Sequence, residues 1–120
     1  MNYLYVVLGG GSGALCRYLF QEFLGKSNGH NFPFATFFVN ITGCFLIGIL
    51  AALALKMRWS ESLTLLVFTG FLGGFTTFSS FSLEFFQLIR NNQSGSAFLY
   101  LGLSNIVGLS LCGLGYYLIK

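Results

Sequence analysis

Charged residues are grouped along this chain and leave three long stretches with none: Phe32 to Leu55, Leu63 to Leu83, and Asn91 to Ile119. A membrane-crossing helix needs roughly 20 apolar residues, and each stretch is long enough. The first segment, Asn2 to Leu24, carries only Arg17 and Glu22, both towards its end. The pattern predicts an all-α integral membrane protein, a single transmembrane domain over residues 1–120. Four transmembrane helices are expected, at about 2–24, 33–55, 62–90 and 95–119. The first is not read as a signal peptide. It lacks a basic start, and its glycines sit where an apolar core should lie. Short connections follow at Gly25 to Phe32, Lys56 to Glu61 and Arg90 to Gly95. Pro33 suits the first turn of the second helix, where a missing N–H costs nothing. Trp59, beside Lys56 and Arg58, reads as an interfacial anchor.

Composition strengthens this picture. Charged residues make up 8% of the 120, against about a quarter in a soluble domain. That is too few to solvate a globular surface, so whatever the chain does is done within the membrane. Cys16, Cys44 and Cys112 match no metal spacing and read as small core packers. Positive charge does not orient the chain. Lys56, Arg58 and Lys120 fall on one side, Lys26 and Arg90 on the other, joined by Arg17 if it snorkels outward. A chain without orientational bias inserts both ways, which permits an antiparallel, dual-topology homodimer. Four helices alone also enclose little interior.

The chain holds 16 glycines. Gly9 and Gly13 are spaced G-x-x-x-G, as are Gly70 and Gly74, and small residues let helix backbones approach where hydrophobicity cannot drive association. "GGGSGA" also fits a loose dinucleotide fingerprint, but it has no preceding strand and lies at membrane depth, so that reading is set aside.

The third helix carries the chemistry. At about 100° per residue, Phe78, Phe81, Ser82 and Phe85 share one face, while Ser80, Glu84 and Gln87 share the opposite one, with Thr77 nearby. An aromatic stripe and a polar stripe run back to back. Upstream, Gly73-Gly74 weakens the helix. A break there would free carbonyls, making Gly73 to Thr76 either a backbone cation site or a packing notch. Glu84 is a functional candidate at membrane depth unless it reaches water. Asn40, nine residues into the second helix, must find partners there. It either bonds another helix or lines a path. Arg17 is either an anchor or an entrance for anions. Ser104, Asn105 and Ser110 add a thinner polar set in the fourth helix.

This inventory is neutral hydrogen-bond formers and phenyl rings. A bare ion in low dielectric costs tens of kcal/mol, and each hydrogen bond to a charge returns only about 1.5–3 kcal/mol, so a path needs many donors or acceptors in series. Ring faces attract cations and ring edges are positive. The residues indicate an ion path without fixing the ion's sign.

"GGGSGALCRY", "FVNITGCFLIG" and "TGFLGGFTTFSSFSLE" resemble the Fluc (CrcB) fluoride channels over nearly the whole chain, and the third motif is highly specific. The resemblance implies a dual-topology homodimer that lets fluoride leave the cytoplasm passively and so limits its toxicity. It implies pore rings at Phe78 and Phe81, a pore amide at Asn40, and a track at Thr77, Ser79 and Ser80. Glu84 stands near the track's end, Arg17 matches the family's arginine, and Ser104 is a more weakly anchored pore residue. A structural, untransported Na⁺ would sit on the carbonyls of Gly73 and Thr76. Ser80 departs from the family's usual threonine but keeps the hydroxyl, which leaves only rate or affinity open. The implied partners are fluoride, a second copy and the lipid bilayer, with no nucleic acid. The natural location is a bacterial inner (plasma) membrane, crossed several times.

The rival reading is a small multidrug-resistance exporter of cationic compounds. It requires a carboxylate in the middle of the first helix, and Met1 to Phe20 contains no acid. A non-transporting scaffold leaves the polar stripe without a purpose. No nucleophile–base pair, metal cluster or phosphate loop favours an enzyme, and the one histidine, His30, is expected in a loop.

Overall fold

A computed structural model describes residues 1–25 and 31–120. The expectations for Lys26, for His30 and for most of the first connection lie outside the described residues. Four helical rods appear: α1 (Asn2–Leu24), α2 (Phe34–Met57), α3 (Glu61–Arg90) and α4 (Ser94–Ile119). Their ends fall within two residues of those expected from hydropathy. Pro33 precedes the first helical residue of α2, where its carbonyl accepts from the Phe37 amide. Arg58 closes α2 in the left-handed conformation, its N–H on the Ala54 carbonyl. Trp59 folds back to place its ring 6.0 Å from that of Phe68.

Among the described residues, α2, α3 and α4 are long and apolar enough to cross a membrane. The sequence pattern put α1 beside them. At 23 residues α1 has the length, but its four glycines, Ser12 and Arg17 dilute the apolar run.

Helices that are neighbours in sequence are not the main partners. A Cβ on Gly9 would meet Leu66 and Gly70 of α3, and one on Gly13 would meet Phe71 and Phe75. Positions that meet advance in the same direction along both helices, so α1 and α3 run parallel. In the same way Gly108 faces Cys44, and Gly48 faces Cys112 and Tyr116, which makes α2 and α4 parallel. The G-x-x-x-G glycines therefore act as packing surfaces, as small residues do between membrane helices. Cys44 lies within the α2–α4 seam, but Cys16 is exposed rather than a core packer.

The break in α3 is displaced from its expected place. Leu65–Leu72 winds in wide π-type turns, and Gly73–Phe75 is α-helical, so the glycine pair does not unwind. The chain opens two residues later, where Thr76 (φ −82, ψ 156) and Thr77 (φ −148, ψ 119) are extended. The helix restarts at Phe78 with the Thr77 hydroxyl accepting from the Ser80 amide. Gly74 instead packs against Gly10 and Ala14 of α1. The break divides α3 between the two parallel pairs. Its first half lies on α1. Its second half, Phe78–Arg90, joins a core of Phe37, Phe81, Leu88, Ala97 and Tyr100 against α2 and α4.

Candidate functional site

Asn40 explains why the chain opens where it does. In a continuous helix the Thr77 amide would bond the Gly73 carbonyl, four residues back. It donates instead to Asn40 Oδ1 at 2.9 Å, while Asn40 Nδ2 donates to the Thr77 carbonyl at 3.0 Å. One side chain of α2 thus replaces both helical bonds of one residue in α3. This satisfies the rule that irregular backbone at membrane depth must have partners. The Gly73 carbonyl is released as a result. The Thr76 carbonyl is released too, because the Ser80 amide turns to the Thr77 hydroxyl. Thr76 itself is held by its own N–H and hydroxyl, both on the Leu72 carbonyl. On the other side, Arg17 Nε donates to the Gly74 carbonyl at 3.1 Å, so the arginine caps the end of the first half-helix.

Gly73, Thr76, Thr77, Asn40 and Phe78 share the wall of an open hollow of about 380 Å³ with Cys44 and apolar neighbours. The second Nδ2 proton of Asn40 is left for a ligand in it. The two phenylalanines sit differently from the single stripe that helical spacing suggested. Phe81 is 8% exposed, with its ring 4.8 Å from Tyr100, whereas Phe78 is 77% exposed. Their centroids are 5.7 Å apart and the planes tilt by 41°. The stripe therefore runs from the hollow's rim into the core. Ser79 is exposed, its hydroxyl 3.5 Å from that of Thr77. Ser82, also exposed, bonds back to the Phe78 carbonyl.

The polar stripe is intact. Ser80, Glu84 and Gln87 line a second pocket of about 230 Å³, with Thr36 and Gln21. Glu84 does not simply reach water. Its two oxygens accept from Thr36 Oγ1 at 2.9 Å and from the Tyr100 hydroxyl at 3.0 Å. Both donors are 0% exposed, and sequence reasoning missed both. A signal existed: a carboxylate at membrane depth needs donors on adjoining helices, and few hydroxyls lie at that depth. We expect Thr36→Val to cost about 1.5–3 kcal/mol, the range for a bond to a charged group, read as a lowered thermal midpoint in detergent.

Ser104 lies on α4 one turn before Gly108, the residue that faces Cys44. This register puts it near the level of Asn40. Among the described residues, its buried hydroxyl has no hydrogen-bond partner.

A family profile described as "CrcB-like protein, Camphor Resistance (CrcB)" matches residues 4–116. The chain belongs to the CrcB family. Among its relatives, a protein of Hydrogenobaculum sp. (strain Y04AAS1) named "Fluoride-specific ion channel FluC" is 46% identical, covering 98% of this chain and 97% of its own. Proteins of the same name from Acidobacterium capsulatum and Thermus thermophilus are 43% and 45% identical, covering 96% and 98% of this chain and 93% and 92% of theirs. Membership agrees with the motif resemblance, whose second and third segments supply most of the wall of the hollow at the break in this CrcB chain.

Proposed function

We propose that this CrcB chain is a fluoride-selective channel through which fluoride leaves the cytoplasm passively, lowering its toxicity. The observation that carries this reading is identity of 43% to 46% over nearly the full length to proteins named as fluoride-specific channels. The site is consistent with it. Fluoride is small and strongly hydrated, so its path must replace water with many donors. The Asn40 amide and the hydroxyls of Thr77, Ser79, Ser80 and Ser104 are neutral donors, and Phe78 and Phe81 offer positive ring edges. Glu84 stands at the end of this series and Arg17 beside the break. Nothing in α1 offers the mid-helix acid that a multidrug exporter needs. The activity is conduction rather than enzymatic turnover.

The working unit is a homodimer of antiparallel copies in the cell membrane. An exposed Phe78 beside an open apolar hollow favours a second copy over that surface, and the balanced loop charges favour insertion in both orientations. α1 crosses the membrane with its parallel partner α3, against which its glycines are fitted. The freed carbonyls of Gly73 and Thr76 suit a structural Na⁺, a hard cation that takes oxygen ligands. Such an ion would supply positive charge at the break without being transported.

Fluoride release from liposomes, followed with a fluoride electrode and with valinomycin in a potassium gradient as counter-current, tests the function. Rapid release of fluoride but not chloride is expected. Release no faster than from empty liposomes, with sodium present and the dimer intact, would sink it. Ser104→Ala in the same assay is expected to slow release without loss of thermal stability, because the removed hydroxyl bonds nothing among the described residues.

A further inference from the structure

The second pocket holds two side chains that neither the motif resemblance nor the hydrogen-bond network employs. Gln21 of α1 and Gln87 of α3 both line it, alongside Ala35, Thr36, Ser80, Leu83 and Glu84. Both glutamines are half-buried. Among the described residues, neither side-chain amide has a hydrogen-bond partner, in contrast to Thr36 and Glu84 in the same wall. A primary amide brings two N–H donors, and a half-buried one without partners forfeits hydrogen bonds that water or a ligand could supply. The parallel arrangement of α1 and α3 brings residues from the C-terminal ends of both helices to this pocket.

The chemistry of the surrounding wall defines what would bind. Glu84 is held by Thr36 and Tyr100, one donor on each oxygen, so its carboxyl is fixed in the wall rather than free to swing into the pocket. The unpartnered glutamines can turn four amide protons towards a ligand, beside the Ser80 hydroxyl, with their carbonyls turned away. These suit a small anion that must exchange water for N–H and O–H groups. Neutral donors also meet the second requirement of a conduction site, which must bind well enough to admit the ion yet weakly enough to release it. A lysine here would attract fluoride more strongly and pair with Glu84 instead.

We propose that Gln21 and Gln87 form an amide mouth at the Glu84 end of the path, where fluoride exchanges its hydration shell for side-chain donors. The inference rests on the reading of this chain as a fluoride channel and assigns a place and a task to two residues outside its motifs. It predicts an effect on apparent affinity more than on the maximal rate, since the mouth governs capture and not the passage beyond it.

The test measures initial fluoride release from liposomes over a range of internal fluoride concentrations. The double variant Gln21→Leu, Gln87→Leu is expected to raise half-saturating fluoride about tenfold, while release at saturation changes by about threefold or less. Gln21→Glu and Gln87→Glu keep the side-chain shape but replace donors with negative charge, and each is expected to slow release at low fluoride more than its leucine counterpart. They cover the case in which the leucine pair does not fold. Gln→Asn at both positions is expected to recover part of the lost affinity. Unchanged half-saturation in a folded leucine pair, or glutamate variants that conduct as the parent does, would overturn the mouth while leaving the channel standing. A parent protein that releases no fluoride would overturn both readings, which separates the two failures.

Discussion

Asn40→Ala is expected to stop fluoride release and to destabilise the protein by about 2–6 kcal/mol. The magnitude follows from two backbone groups of Thr77 left unpaired at once, at about 1–3 kcal/mol each. No nearby helix bond can reclaim them, because Thr76 and Thr77 are extended and the Thr76 amide already serves the Leu72 carbonyl. With its clamp gone, the extended backbone of the break would lose its fixed geometry, and Phe78 and Ser80 would no longer be held in their places. Asn40→Asp is the informative companion. As a carboxylate it still accepts from the Thr77 amide but cannot donate to the Thr77 carbonyl, so an intermediate stability is expected with flux still lost. Liposome release together with thermal unfolding in detergent checks both. Parent-like release and an unchanged midpoint in Asn40→Ala would show that the clamp does not hold the break.

Gly13→Leu is expected to prevent assembly altogether. A Cβ at Gly13 would lie on the Phe71 carbonyl oxygen, 2.9 Å from both the Phe71 carbonyl carbon and the Phe75 amide nitrogen. All three are backbone atoms, so no side chain can turn aside and the helices must separate. Even Gly13→Ala is expected to cost about 3 kcal/mol, at the upper end for forced overpacking. Gly11, two residues earlier, has nothing within 4 Å of a Cβ. There the same change to alanine is expected to stabilise by up to about 1 kcal/mol through helix propensity alone. Size-exclusion profiles and unfolding midpoints of the three variants give the comparison. Normal assembly of Gly13→Leu would mean that α1 and α3 do not meet through these glycines.

These two sites also mark the boundary of what was legible in the sequence. Helix positions were readable because apolar length is a one-dimensional property, and the ends of all four fall within two residues of the hydropathy pattern. The glycine spacings were readable as close approach, though not which helix would approach which. The break was assigned to Gly73-Gly74 because glycine is locally permissive. Its actual position depends on an amide 37 residues earlier in the chain, and no local pattern carries that information. The same holds for Thr36 and Tyr100. In "FATFFVN" and "FLYLG" they look like residues of an ordinary apolar helix, and only the folded arrangement brings both to Glu84. Asn40 and Glu84 were visible as polar groups requiring partners, while the identity of those partners was three-dimensional.

The pairing of first with third and second with fourth helix has a consequence for biogenesis. As the chain emerges from the ribosome, α1 and α2 enter the bilayer without their main partners. α1 has to wait for the residues around Gly70, and α2 for those around Gly108. The glycine faces of the first half of the chain are thus presented to lipid until the second half arrives. Assembly becomes a late, concerted event in which α3, split at Thr76 and Thr77, joins one pair with each half. A chain stalled after α2 would lack both of its main native interfaces, and would be exposed to membrane quality control as an incompletely paired intermediate.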